Sequence, residues 1–345
     1  MSELPIFIIL ASIIANAAPI VTAAVGETIT EKAGVINLSL DGTILLSAMV
    51  AFAVSYDTGN VIYGFIAAAL VGGAVALVIA VFSIYIGAHQ VAVGFILTLT
   101  TRDLAYFLGN PYSRLHGPQV SPMGIPFLKN IPFLGPVLFN HNLPVYFSIL
   151  LIGFVFWYMY RTSYGLTLRA VGEHPAAAYA RGIHPRRVQL FYTVIGGMLV
   201  GLGGAMFSLL VKPGWGRPQG AEGTGWIALA LVIFGGWNPL KVAMGAYLFS
   251  FLQIMGLFFQ KWIPFLPTQV IQVAPFPLMI FTLLIMEYAK RTSEKRMEQA
   301  AFERETGVKK GQERSGGRGK NVWAPILNFI SASQPASLGK PYKPE

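Results

Sequence analysis

The chain has 345 residues, of which 54% are hydrophobic and only 12% charged, with a formal net charge of +10 and no cysteine. Soluble domains carry about 25% charged residues, so this composition, with a mean hydropathy of +0.58, excludes an ordinary water-soluble globule. The lack of cysteine excludes disulfides and thiolate metal sites.

The apolar run 4–25 has no basic residue before it and is too long for a secretory signal core, so it reads as a first membrane helix. Residues 58–101 hold no Asp, Glu, Lys or Arg, enough for two spans at about 20 residues each. Apolar length then places helices at 5–25, 43–57, 60–87, 90–109, 143–160, 188–211, 225–236, 240–260 and 267–289. The segment 225–236 would be only about 18 Å long at helical rise, too short to cross alone, and reads as re-entrant or as half of a broken helix. The expected fold is an all-α integral membrane protein, a polytopic bundle of about 8–10 transmembrane helices with broken or re-entrant segments. It occupies 1–289 and is followed by a basic, mostly disordered tail over 290–345. In that tail, residues 290–320 hold ten basic and five acidic side chains, and Trp323, Ile326, Leu327 and Ile330 have the spacing of a short amphipathic surface helix. The loop 161–187 carries five arginines against one acid, which places the loop and the basic tail in the cytoplasm.

Many of the 37 glycines lie inside the apolar runs. Gly72 and Gly73 on one helix, and Gly197, Gly201, Gly203 and Gly204 on another, predict close backbone packing between helices. Residues 26–42, GETITEKAGVINLSLDG, interrupt the apolar N-terminal third with polar groups. Asn37, Ser39 and Asp41 alternate with Ile36, Leu38 and Leu40, so an extended piece presents them on one side. An interfacial loop and a pathway segment are equally compatible with that pattern. In the 161–187 loop, Pro175 suits the first turn of a short helix over 176–180, Gly182 its stop, and Glu173 and Arg181 its dipole. Such a knob suits docking of a cytoplasmic partner, although the arginines also serve as orientation signals. Over 220–252, two tryptophans, paired glycines and Asn238-Pro239 break a helix into a short and a long piece. Trp237 reads as an interfacial anchor, and Trp226 as either an anchor or a pathway residue.

Arg102 and Asp103 fall inside or at the end of the fourth helix, and an earlier end to the helix would leave both at the interface; neighbouring positions on a helix predict separate partners. Neither a phosphate-binding loop nor metal-ligand spacing among the five histidines occurs, so the chain reads as no enzyme, with no catalytic residue, metal or cofactor. Nucleic acid has no place in this reading.

Four stretches in order, EKAGVINLSLDG, AHQVAVG, LRAVGEHPAAAYARGI and GWIALALVIFGGWNPL, resemble the permease subunits of ABC importers for simple sugars, nucleosides and branched-chain amino acids. The resemblance covers roughly 5–290 and is nearest to the nucleoside and simple-sugar branch. It implies a cell-membrane, multi-pass subunit with three protein partners: a cytoplasmic ABC ATPase, a second permease and an extracytoplasmic solute-binding protein. Arg169, Gly172, Glu173, Pro175, Ala177, Ala178, Gly182 and Ile183 match the family's ATPase-coupling loop, with His174 where the family usually has Asn. Asn37, Ser39, Asp41 and Gln90 match positions near the substrate pathway, to which Trp226 is added. A branched-chain amino-acid permease, a secondary transporter and a channel are the alternative functions.

Overall fold

The computed structural model describes residues 6–262, apart from 127, 129, 130, 132 and 133, together with 277, 281 and 335–340. The expected helix 267–289 and most of the tail, including its Trp323–Ile330 pattern, lie outside the described residues. In chain order the helices are α1 (Ile6–Lys32), α2 (Leu40–Thr58), α3 (Val61–Ala80), α4 (Gln90–Gly109), α5 (Leu134–Leu138), α6 (Leu143–Arg161), α7 (Ser163–Glu173), α8 (Pro175–Ala180), α9 (Pro185–Met206), α10 (Thr224–Phe234) and α11 (Pro239–Trp262). Wider π turns extend α3 through Val81–Ile86 and α9 through Phe207–Val211. Among the described residues, six helices are long and apolar enough to cross a membrane: α1, α2, α3, α4, α6 and α9, the third, fourth and last counted with their end turns.

Local chemistry sets the ends. Gly59, at φ 67°, ends α2, and the Asn60 side chain then accepts from Ile62 N–H to open α3. Thr162 opens α7 the same way, accepting from Gly165 N–H at 3.0 Å. Proline occupies the first turns of α6, α8 and α9, where its missing N–H leaves no intrahelical bond unmade.

The glycine-bearing helices pack as their spacing predicts. On Gly72 of α3, a Cβ would overlap Gly197 O and stand 2.8 Å from Gly201 N, so these two backbones touch. Gly26 of α1 meets Gly196 of α9, and Gly203 meets Pro19, which sets α1 antiparallel to α9. Gly204 lies against Ile44 and Ser47 of α2, with Ser208 Oγ donating to Ala48 O at 2.7 Å just beyond. In lipid, where burial of apolar surface gives helices no preference for each other, such close approach supplies the packing energy. Helix α9 is thus the central post of the bundle.

The N-terminal third departs from its expected boundaries. Helix α1 does not stop at residue 25 but continues through 26–32, carrying Glu27, Thr28, Thr30 and Glu31 into the protein interior. Hydropathy ends a helix at such residues. Here Thr28 and Thr30 return their hydroxyls to Ala24 O and Gly26 O, and neighbouring helices rather than lipid surround the carboxylates. Only 33–39 is non-helical. A further helix, α7, fills the first half of the 161–187 loop, where only the short helix after Pro175 was expected.

Helix α4 keeps its expected bounds, 90–109. Arg102 and Asp103 lie inside it, and Arg102 Nε reaches the adjacent Asp103 carboxylate at 3.4 Å rather than a separate partner. The contact is made by side chains lying along the helix surface, not by the helix geometry that separates their Cβ atoms.

Candidate functional site

The segment 33–39 leaves the end of α1 and folds back toward the interior. The expected alternation holds only over 36–39, where Asn37 and Ser39 are buried and Ile36 and Leu38 partly exposed; Leu40 and Asp41 are both buried and already belong to α2, so the extended piece stops before them. Its backbone groups are satisfied by side chains from three directions. Gln90 Oε1, at the start of α4, accepts from Ile36 N–H at 2.8 Å; Glu27 Oε1 accepts from Asn37 N–H at 3.2 Å; and Thr98 Oγ1 donates to Leu38 O at 2.5 Å. Asn37 Oδ1 then accepts from both Ser39 N–H and Ser39 Oγ, an Asx turn that launches α2. This pairing answers the demand that non-helical backbone at membrane depth be buried in protein.

Helix α2 therefore starts inside the layer. Thr98, which faces its first turn, lies eight residues along α4 from Gln90, about 12 Å at helical rise. Against the same turn stands the N-terminus of α10, the short helix that the sequence marks as unable to cross alone. Asp41 Oδ1 accepts from Gly225 N–H at 3.2 Å, and Gly225 lies so close that any Cβ would overlap the Asp41 backbone. The N-terminus of α2 and that of the half-helix α10 thus meet, and the Asp41 carboxylate takes up the Gly225 amide at the positive end of the α10 dipole. At its other end α10 is tied to α1: Trp237, buried and at φ 54°, donates its indole N–H to Glu31. The interfacial anchor expected of Trp237 is therefore corrected, because its polar edge is taken up by a buried carboxylate rather than by the membrane surface.

Beside this junction, α4 presents one face in which Phe95, Arg102 and Tyr106 recur at helical spacing. The Trp226 ring, on the first turn of α10, lies 6.5 Å from that of Phe95, and both are substantially exposed in the single chain. Tyr106 donates to Glu222 at 2.5 Å, while the Arg217 guanidinium sits 4.7 Å above the Tyr106 ring. Burial alone would raise the Glu222 carboxyl, but hydrogen bonds from Tyr106 and from backbone amides, including those of Gln219 and Gly220, outweigh it and hold it below the usual carboxylate range. Asp41 lies within electrostatic range of Glu222 and Arg102.

Of the residues read from sequence, Asn37, Ser39, Asp41 and Gln90 meet in one hydrogen-bonded connection, and Trp226 joins it through its neighbour Gly225. Sequence reading missed Glu27, Glu31, Thr98, Tyr106 and Glu222. Glu27 is fully buried, and its Oε2 has no hydrogen-bond partner among the described residues. Its signal was the i, i+4 pair Glu27–Glu31 at the end of an apolar run, which puts both acids on one helix face.

The second group lies where α1 ends. Gly172, near the end of α7, packs against Lys32 O, and Gln189 of α9 donates to Ala33 O at 3.2 Å. Arg169 rides over the Tyr160 ring at 5.1 Å. Pro175 opens α8, Ala178 anchors it inward, and Gly182, at φ 82°, closes it with Ile183 N–H donating to Ala178 O at 3.1 Å. Ala176, Ala177 and Tyr179 face outward, making α8 a small apolar knob.

Six helices able to cross a membrane, with the half-helix α10 lodged against the first turn of α2, mark a polytopic membrane protein. Residues 9–285 match the family described as the permease component of branched-chain amino acid transport systems, and the chain belongs to that family. It is 36% identical over 239 residues to a putative glucose ABC transporter permease protein of Haloferax volcanii, TsgC13, covering 68% of this chain and 72% of the relative. The nucleoside ABC transporter permease protein NupC of Lactococcus lactis is 26% identical over 81% of this chain and 91% of its own length. The guanosine ABC transporter permease protein NupQ of Bacillus subtilis is 27% identical over 72% and 82% respectively. No solved structure matches the chain significantly.

Proposed function

We propose that the chain is the pore-forming permease of an ABC importer for nucleosides or simple sugars, fed by an external binding protein and driven by a separate ATPase. The observation that carries this reading is the aromatic and charged face of α4 and α10. Ionisable side chains at membrane depth face a cavity or a partner rather than lipid, yet the Arg102 and Asp103 side chains are 43% and 73% exposed in the single chain. That face belongs against a second permease, with the solute path between the two copies or between this chain and a related one. Phe95, Trp226 and Tyr106 offer rings for stacking on a base or the apolar face of a sugar, and Asp41, Arg102 and Glu222 offer partners for hydroxyls and ring nitrogens. The names of the three relatives, which specify glucose, nucleoside and guanosine, support the same solute classes.

Loop 161–187 faces the cytoplasm in this reading, as its five arginines favour. Arg169, Gly172, Glu173, Pro175, Ala177, Ala178, Gly182 and Ile183 form the ATPase-docking element, and Asn37, Ser39, Asp41, Gln90 and Trp226 line or support the path. Gly172 against Lys32 and Ala33 joins the docking element to 33–39, which leads into α2 and its Asp41, while Gln189 of α9 holds Ala33 from the other side. A push at α8 therefore has a short covalent and packed route to the junction of α2 with α10.

Base–aromatic stacking contributes about 1–3 kcal/mol per ring. Trp226→Ala is accordingly expected to lower transport of subsaturating solute about tenfold, with Trp226→Phe retaining most of it. Uptake by purified complexes in vesicles measures this; equal rates for the alanine variant and the parent would remove Trp226 from the path.

A further inference from the structure

A short stretch near the end of the chain packs where the coupling element meets the path. Residues 335–340, PASLGK, form two successive turns, with Leu338 N–H donating to Pro335 O at 3.1 Å and Lys340 N–H to Ser337 O at 3.0 Å. Gly339, at φ 77°, supplies the left-handed position of the second turn. The turns aim three backbone donors at one side. Ala336 N–H donates to Glu173 Oε2 at 3.1 Å, Ser337 N–H to Gly172 O at 3.1 Å, and Gly339 N–H to Gly34 O at 3.1 Å. Ser337 Oγ adds a bond to Gly172 O at 2.5 Å, and Ser337 itself is buried.

The surface receiving this segment is shaped for it. Gly34 adopts φ 95°, and within 4 Å of the place where a Cβ would stand are Ser337 Oγ, Gln189 Nε2 and Gly172 Cα. The last segment, α9 and α7 therefore converge on one glycine of the 33–39 connection. Gly339 lies over Ile36, whose Cδ1 is 2.9 Å from a Cβ placed on that glycine. Bonds to both Gly172 and Gly34 tie the end of the coupling helix to the connection that carries Asn37 and Ser39 and leads into α2 at Asp41.

We propose that residues 335–340 are an intramolecular clasp that locks α7 to the 33–39 connection and so sets how much ATPase-driven movement at α8 reaches the half-helix junction. The coupling role rests on the importer reading; the docked clasp does not. Without the clasp, α7 meets the connection only through Gly172 against the end of α1 and side-chain contacts, and the knob can move without pulling on it.

The chain has no native cysteine, so single cysteines report cleanly. Ala336→Cys is exposed and Ser337→Cys is buried when the clasp is seated. With a membrane-impermeant maleimide on the full-length protein in detergent, Ser337→Cys is expected to react at least tenfold slower than Ala336→Cys. Adding Gly339→Val, a β-branched residue at a left-handed position, should abolish that difference. Equal rates without Gly339→Val would overturn the clasp. In the reconstituted complex, deletion of 335–345 and Gly339→Val should each leave the ATPase bound but lower guanosine or glucose moved per ATP at least threefold. An unchanged ratio in both variants would overturn the coupling role. Failure of the intact chain to retain any ATPase would instead overturn the importer reading, leaving the labelling result to decide the clasp.

Discussion

Gly225→Val is expected to reduce transport about 100-fold while the protein still inserts in the membrane. A Cβ at this position would overlap the backbone N and Cα of Asp41 and stand 2.6 Å from Leu40 C. Overpacking ordinarily costs about 1–3 kcal/mol because side chains can rotate aside. Here the neighbour is the backbone at the start of α2, held by the Asn37–Ser39 turn and by Thr98, so α10 must separate from α2. Separation also removes the acceptor for Gly225 N–H and moves Trp226 from Phe95. A cost of about 2.8 kcal/mol corresponds to the 100-fold loss. Gly153→Val is the control, since nothing lies within 4 Å of a Cβ there. Initial uptake rates of size-homogeneous complexes measure both. Parent-like uptake by Gly225→Val would mean that contact between α2 and α10 is not part of the path.

Glu173→Lys is expected to reduce ATPase stimulation by at least tenfold and to leave insertion unchanged. Glu173 sits at the end of α7, accepts from Ala336 N–H, and lies within electrostatic range of the buried Lys32, which Arg169 already opposes. A lysine there removes the acceptor and places a third cation beside those two, so the start of α8 shifts away from α1. Glu173→Gln keeps an oxygen for Ala336 and removes only the charge, and should fall between the parent and the lysine variant. ATP hydrolysis by the assembled complex is the readout. Parent-like stimulation in Glu173→Lys would exclude this corner of α7 from coupling.

The short helix α10 was legible because length alone forbade residues 225–236 from crossing, and the α8 knob because Pro175 and Gly182 bracket an alanine run. The alternation held for Asn37 and Ser39 but not for Asp41, because α2 begins at Leu40 and buries both residues. What escaped the sequence was decided by tertiary partners. Polar residues 27–31 look like a loop to a hydropathy window, yet buried hydrogen bonds carry the helix on to Lys32. Trp237 looks like any membrane-surface tryptophan until Glu31, 206 positions away, is seen to accept its N–H. Tyr106 and Glu222 are likewise joined across 116 positions, and no local spacing announces such a pair. The docking of Ser337 at Gly172 is farther from local reading still, since only the folded end of α1 creates its seat.

This permease is proposed to work as the membrane part of an ATP-driven importer for nucleosides or simple sugars. Purification of the tagged chain from its native membranes with its bound partners, followed by ATP hydrolysis assays with the binding protein present, tests it most directly. Recovery of an ABC ATPase whose hydrolysis rises with a nucleoside or a simple sugar, and not with leucine, is the expected result. Repeated isolation of an intact, folded chain without any ATPase, or stimulation by leucine alone, would contradict it.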